Sequence, residues 1–209
     1  MFGRLSSRHL LSLMPASLVM ARGNSDALHL TFDDGPHPEH TPPLLDELAR
    51  HDAKATFFVI GNQIEGHIPL LQRILAEGHA LGNHSYSHPQ FAELTLAAQV
   101  EEIARTDALL AGLTGQPQAL FRPPRGEVSL GLLWHFARRR RRIAHWSRDS
   151  GDYQGGDGAA LVEGLRSIPP VAGDILLMHD DGGTSLQLMQ DLLPEWRQRG
   201  LRCSVLTGV

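Results

Sequence analysis

The sequence predicts an α/β fold on a parallel sheet, in a single domain. Short apolar runs rich in β-branched and aromatic residues alternate with stretches of helical periodicity, seven of the first against six of the second. Parallel strands joined by crossover helices leave this alternation. A chain of 209 residues, 42% hydrophobic and 20% charged, has the size and composition of one globular domain. Clusters of acids, histidines and arginine stand directly after the β-rich runs, where parallel α/β folds gather their chemistry. An open sheet and a seven-stranded barrel both satisfy this pattern.

The elements follow in order. The first strand is expected over 27–32, and Thr41-Pro42 then reads as an N-cap with proline at the first position of a helix over 41–50. The run 55–60 is a continuous apolar strand. Leu70, Leu71, Ile74 and Leu75 mark the inner face of a helix over 67–77, closed by Gly78. Strand 80–83, helix 95–111, strand 119–122 and helix 128–140 come next. Strand 143–147, helix 158–167 and strand 174–179 continue the alternation. The last helix, 185–199, carries Leu186, Met189, Leu192, Leu193 and Trp196 as core residues and stops at Gly200. A final strand is expected over 202–206, with Cys203 a small buried apolar residue.

Composition excludes several function classes. A formal charge of −4 gives no global electrostatic case for nucleic-acid binding. One cysteine permits neither an internal disulfide nor a multi-cysteine zinc cluster, so any metal must use His, Asp or Glu. No apolar stretch reaches the roughly 18 residues of a membrane span. Arg4 and Arg8 ahead of the apolar run 10–20 resemble a short signal peptide, but Pro15 interrupts the run and Ala21-Arg22-Gly23 is a poor cleavage site. An ordered N-terminal segment over 1–24 is therefore expected, with a cytoplasmic or membrane-associated location favoured over export. Of the basic residues, 18 are arginine and one is Lys54, and five arginines run together from Arg138 to Arg142. That run reads first as a solvated helix end, and second as a contact for a membrane or another anionic surface.

Five clusters carry the candidate chemistry. Thr31-Phe32-Asp33-Asp34-Gly35-Pro36 sets two carboxylates at a strand end, although Asp-Gly-Pro is also ordinary turn chemistry. In His84-Ser85-Tyr86-Ser87-His88 the two histidines are expected on one face of a helical turn, although such pairs also arise by chance. Two imidazoles and one carboxylate can hold a divalent metal and leave positions for water and substrate. The spacing alone does not choose between Asp33 and Asp34. Arg122-Pro123-Pro124-Arg125-Gly126 offers a guanidinium that can grip a carboxylate, and two prolines that stiffen the Arg125 N–H as a donor. A rigid surface turn would look the same. Asp149-Ser150-Gly151-Asp152-Tyr153 and Ile175-Leu176-Leu177-Met178-His179-Asp180 complete the set. A carboxylate beside His179 would stabilise its protonated form and suit it to acid catalysis; otherwise it is a satisfied core histidine.

With all five motifs in this order, over about 27 to 180, the chain resembles the polysaccharide deacetylases of the NodB homology type, carbohydrate esterase family four. The resemblance implies a distorted (β/α)7 barrel, with 25–209 as the catalytic domain. It implies a metal-dependent hydrolase that removes N-acetyl groups from N-acetylglucosamine-type glycans and releases acetate. An O-acetyl xylan esterase, a deacylase of a lipid-linked sugar and a non-catalytic glycan-binding module are the other readings. Carried over by position, Asp34, His84 and His88 would hold one divalent ion, zinc first, then cobalt or nickel. Asp33 would be the general base, oriented by Arg122. The Arg125 N–H would stabilise the oxyanion. His179 would protonate the leaving amine, with Asp152 as its partner, and Leu177 would line the acetyl pocket. The chain departs from the family at Arg125, usually aromatic, and at Tyr153, usually tryptophan, which concerns substrate contacts more than catalysis. Arg125, Arg148 and the 138–142 run would favour an anionic glycan. His37 and His40 lie near the first motif, and the remaining histidines are expected to have no catalytic role.

Overall fold

The central strands are buried on both faces, so their side chains divide by parity into two environments. The computed structural model describes Leu11 and residues 14–207. Its strands are β1 (Val19–Met20), β2 (His29–Asp33), β3 (Ala55–Val59), β4 (Ala80–Asn83), β5 (Ile143–Ala144), β6 (Arg148–Asp149) and β7 (Ile175–His179). Its α-helices are α1 (Thr41–Arg50), α2 (Gly61–Ile64), α3 (Ile68–Ala76), α4 (Leu96–Thr114), α5 (Leu130–Arg138), α6 (Gly158–Ser167) and α7 (Thr184–Gln198). Five strands form a parallel sheet in the order β4-β3-β2-β7-β6, and β1 pairs in parallel with β5.

The segment from Ile143 to Ser150 closes the sheet into a ring. At one end Phe121 bridges Asn83 of β4 and Ile143 of β5, with the Ala144 N–H donating to Phe121 O at 2.8 Å. At the other end the Ser147 N–H donates to Ile175 O at 3.1 Å and the Ser150 N–H to Leu177 O at 3.1 Å. The result is a distorted barrel, regular across β4-β3-β2-β7 and reduced to short pairings where it closes.

Alternate residues face outward and inward. Leu30 and Phe32 of β2, Phe57 and Val59 of β3, and Leu176 and Met178 of β7 join Leu44, Leu48, Leu188, Leu192 and Trp196 in the main core between strands and helices. The opposite parity faces the lumen: Thr31 and Asp33, Thr56 and Phe58, and Leu177 and His179 stand in register across β2, β3 and β7. Phe58 packs there with Met20, Ala144, Ile175 and Leu206. One choice of register therefore buries the outer face and delivers Asp33, Leu177 and His179 to the lumen.

Local signals fix the helix ends. Thr95, Ser129 and Asp157 cap α4, α5 and α6 through side-chain oxygens that accept from Ala98, Leu132 and Ala159 N–H groups. Gly78 and Gly200, at φ 83° and 72°, terminate α3 and α7 in the left-handed conformation. His40 rather than Thr41 is the N-cap residue of α1; the Thr41 hydroxyl instead accepts from the His37 N–H and donates to Asp180.

Several sequence expectations change. The strand expected over 119–122 reduces to the bridge at Phe121, and that over 202–206 to the bridge between Cys203 and Leu28. The run 143–147 begins as two-residue β5, and pairing resumes only at β6. β1 and the short helix α2 were not expected. Residues 1–10, 12 and 13 lie outside the described residues, but of the apolar run 10–20 Leu11, Met14, Leu18 and Val19 pack with Phe121, Leu132, Phe136 and Ile143. Among the described residues no helix is long and apolar enough to cross a membrane.

Candidate active site

The lumen-facing parity and the turns after the strands bring all five motifs to one end of the barrel. A cavity of about 380 Å³ there is walled by Asp33, Asp34, His84, His88, Arg125, Gly126, Trp146, Tyr153, Leu177 and His179.

Asp33 ends β2 on the lumen side and is buried. Beside it Arg122 is completely buried, unusual for a charged group; both of its Nη atoms are hydrogen-bonded, whereas Nε has no partner among the described residues. Its Nη1 donates to Asp33 Oδ1 at 2.7 Å and to Thr31 Oγ1 at 2.8 Å, and its Nη2 donates to His145 O at 3.1 Å. The guanidinium lies 4.2 Å from the centre of the Phe58 ring. Asp33 is thus held through one oxygen while Oδ2 remains 3.7 Å from His84 Nε2.

Asp34 takes φ 73°, so its side chain turns out of the strand parity and toward the histidines. Its Oδ1 stands 3.4 Å from His84 Nε2 and 3.3 Å from His88 Nε2. The histidine pair does not lie on a helical turn, as the spacing suggested. Residues 84–88 form an irregular turn with Ser85 at φ 68° and His88 at φ 52°. Its local bonds are Ser85 N–H to Asn83 Oδ1 and His88 N–H to Ser85 Oγ. Glu102 of α4 accepts from the Tyr86 and Ser87 N–H groups at 3.0 and 2.8 Å. Asn83 itself is tied to α4 through Ile103 O and Asp107.

The donor chemistry of Asp34, His84 and His88 fits one divalent cation. Their ligand atoms lie within 4.8 Å of one another, and Asp34 Oδ1 is buried without a hydrogen-bond partner among the described residues. His84 Nδ1 lies 2.9 Å from Arg122 O, so it carries the proton and Nε2 presents a lone pair. Burial alone would raise the Asp34 carboxyl, but the close His84 contact and the charges of His84, His88 and His179 outweigh it and hold the pKa at about 2. Burial, then the neighbouring His84, pushes the His88 imidazole below its ordinary value. An anionic carboxylate and neutral imidazoles are the forms that bind metal. Separations of 3.3–3.4 Å also match those between ligands set about 2.0–2.1 Å from a tetrahedral ion.

His179 ends β7, paired in register with Asp33. Its Nδ1 lies 2.9 Å from Asp152 Oδ1, and its backbone N–H donates to Asp152 Oδ2 at 2.7 Å. Ser150 Oγ donates to Asp152 Oδ1 at 2.9 Å, and Ser185 Oγ lies 2.6 Å from Asp152 Oδ2. Burial would lower the His179 imidazole, but the Asp152 hydrogen bond and the charges of Asp33, Asp152 and Asp34 outweigh it and push the pKa up to about 9. For Asp152 burial acts upward, and the bonds from His179 and Ser185 overcome it to hold the carboxyl below its ordinary value. Tyr153, half-exposed, meets His179 edge to face at 5.2 Å.

Arg125 occupies a short turn over Pro124–Gly126 at φ 55°, and its N–H is claimed by no described backbone carbonyl. Gly126, at φ 68°, is needed for space, because a Cβ there would sit 2.8 Å from the Trp146 ring. Leu177 lies on the cavity wall. Arg148 points away from the cavity, to Ile168 O, Pro169 O and Asp174.

Motif reading missed several participants. Trp146 walls the cavity from within a run read as strand. Ser185 and Glu102 act from helices far away in sequence and carry no local motif. Asp180, which the last cluster includes without an expected role, is fully buried at 1% exposure; its Oδ2 accepts from Thr41 Oγ1 at 2.5 Å, and its backbone N–H donates to Asp33 O at 3.2 Å. Burial pushes the Asp180 carboxyl up to about 7. Gly35 is a glycine for that reason: a Cβ there would lie 2.2 Å from Asp180 Oδ1. His37 and His40 stack on each other at 4.4 Å and do not wall the cavity.

Comparison with known proteins bears on this geometry. A family model described as polysaccharide deacetylase matches residues 21–138. A peptidoglycan-N-acetylglucosamine deacetylase from Bacillus cereus is 34% identical over 192 residues, covering 89% of this chain and 69% of that protein. A chitooligosaccharide deacetylase from Rhizobium leguminosarum bv. phaseoli is 37% identical over 79% of this chain and 76% of its own length. Other curated relatives are longer, and the chain spans 41% and 37% of two of them. A crystal structure of a peptidoglycan N-acetylglucosamine deacetylase overlays with a TM-score of 0.83 at 31% identity, covering 90% of each chain.

Proposed function

This chain belongs to the polysaccharide deacetylase family, and from that membership and the site we propose that it hydrolyses the acetamide of N-acetylglucosamine-type glycans, releasing acetate and a free amine. The observation that carries the reading is the gathering of carboxylate, imidazole and arginine groups at one cavity. Asp33 with Arg122 stands beside the Asp34–His84–His88 cluster, and His179 with Asp152 stands among the other wall groups.

Asp34, His84 and His88 would hold one divalent ion, zinc first and cobalt or nickel as substitutes. Bound there, it would supply Lewis-acid polarisation of the acetamide carbonyl and a lowered pKa for water. The rest falls to the chain's own residues. Arg122 holds Asp33 through Oδ1 and leaves Oδ2 to take a proton from the attacking water. A carboxylate bound to a metal is pinned as an anion and is a poor proton shuttle, which separates the work of Asp34 from that of Asp33. The Arg125 N–H, fixed between proline and glycine, donates to the acetamide oxygen as negative charge develops there. Asp152 holds the His179 ring through Nδ1, so Nε2 faces the cavity and gives its proton to the leaving amine. Leu177 supplies an apolar wall for the acetyl methyl, and Tyr153 and Trp146 offer aromatic faces to the sugar.

The test is acetate release from chitooligosaccharides, peptidoglycan fragments, acetylxylan and a lipid-linked N-acetyl sugar. Release from an N-acetylated glycan, lost on Asp33→Asn and on His179→Ala, is the expected result. Release from acetylxylan alone would replace the reading with an O-acetyl esterase.

A further inference from the structure

The outer face of α5 carries side chains that the barrel does not need. Leu132, Leu133 and Phe136 turn inward and are buried, whereas Leu130 and Trp134 are 77% and 61% exposed. Leu130, Trp134 and Arg138 recur every fourth residue and so stand one above another on the opposite face. Leu96, exposed at the start of α4, lies against Gly131 and widens the apolar strip.

The arginine run after this strip divides in two. Arg141 turns inward, where its two Nη atoms donate to Asp107 at 2.6 and 2.9 Å. Arg138, Arg139 and Arg140 are exposed. Arg138 lies over the Trp134 ring at 4.5 Å. Arg139 reaches back to His135, and Arg140 takes φ 52°, turning the chain toward β5. The molecule as a whole carries −4, so this cationic strip is a local feature set against the net charge. A merely solvated helix end would offer charge without large apolar groups beside it.

We propose that this face of α5 docks the protein on an anionic lipid bilayer. Leu130 and Trp134 would enter the interfacial layer, where an indole places its apolar body and polar N–H at the headgroup level. Arg138, Arg139 and Arg140 would meet lipid phosphates, whose oxygens match the guanidinium fork. Charge complementarity selects this occupant: three adjacent cations beside a tryptophan suit a surface that is anionic outside and apolar within. Between α4 and α5 a cavity of about 150 Å³, with Ile103, Ala104 and Phe136 in its wall and His135 and Arg139 among its lining residues, offers space for part of a lipid. Leu130 follows Gly126 of the cavity wall by only four residues, so docking would hold the reaction cavity close to the bilayer surface.

The test uses the full chain loaded with zinc and vesicles of phosphatidylcholine with or without phosphatidylglycerol, read by co-sedimentation. Binding is expected only with phosphatidylglycerol and should weaken as salt rises. Each arginine near such a surface strengthens binding about fivefold, so glutamine at 138, 139 and 140 together should weaken it about a hundredfold. Trp134→Ala should weaken it too, and the blue shift of tryptophan emission on binding should vanish in Trp134→Phe. Release of acetate from a soluble chitooligosaccharide should be unchanged in all of them. Equal binding to neutral vesicles, no binding, or binding that persists in the glutamine variant would each overturn the proposal. Persistence would transfer the contact to the N-terminal segment, and binding to isolated cell-wall glycan in place of vesicles would transfer it to a polysaccharide.

Discussion

Asp152 does for His179 what Arg122 does for Asp33: each fixes one atom of its partner and leaves the other aimed into the cavity. The pairs differ in what they do to charge. The carboxylates around His179 stabilise its protonated form, so the imidazole stays protonated through neutral pH and loses its proton as pH rises through about 9. The alkaline limb of kcat for chitooligosaccharide hydrolysis should therefore fall near pH 9. In Asp152→Asn, with the attraction gone and burial left, that limb should move to lower pH by roughly 1–3 units. A limb that stays in place would remove His179 as the titrating acid. Arg122 is also a structural commitment. Its removal leaves Asp33 buried and unpaired, so Arg122→Ala should cost roughly 3–5 kcal/mol in denaturant unfolding and abolish acetate release. The surviving fold, checked by circular dichroism, separates the two losses.

At the scale of elements, motif residues were legible where a motif coincides with a strand end, as at Asp33, Asp34 and His179. Strand extent was less legible. The runs 119–122 and 202–206 have the composition of strands but pair only through isolated bridges at one residue each, because β-branched and aromatic residues report burial on a pleated surface and not the length of a ladder. The turn at 84–88 misled for another reason: the four-residue spacing of His84 and His88 suits a helix, but Asn83, Ser85 and Glu102 satisfy its backbone groups in an irregular path. Where the barrel closes through one residue, side-chain packing must hold what the ladder does not. Phe121 is fully buried against Phe91 and Phe136. Phe121→Ala should cost about 3–5 kcal/mol in thermal or denaturant unfolding. It should also reduce activity, since Arg122 follows directly; an effect below about 1 kcal/mol would mean that the ring closes independently of this contact.

At the scale of the molecule, the fold class followed from alternation alone, and the location of the chemistry followed from parallel strands ending together. What stayed hidden was what only the closed barrel creates. Trp146 meets Gly126, Ser185 meets Asp152 and Asp180 meets Thr41 across separations of 20 to 139 residues, and none leaves a local pattern. The site belongs to the whole ring: its acids, imidazoles and arginine come from four strand ends and the Phe121 bridge, which meet only when the ring is complete. The most direct measurement of the central claim is acetate release from a chitooligosaccharide by protein stripped of metal, then by the same protein after one equivalent of zinc. The account predicts no release from the stripped protein, recovery with zinc, and neither zinc binding nor recovery in His84→Ala or His88→Ala. Undiminished release by the stripped protein, or full recovery in either histidine variant, would contradict it.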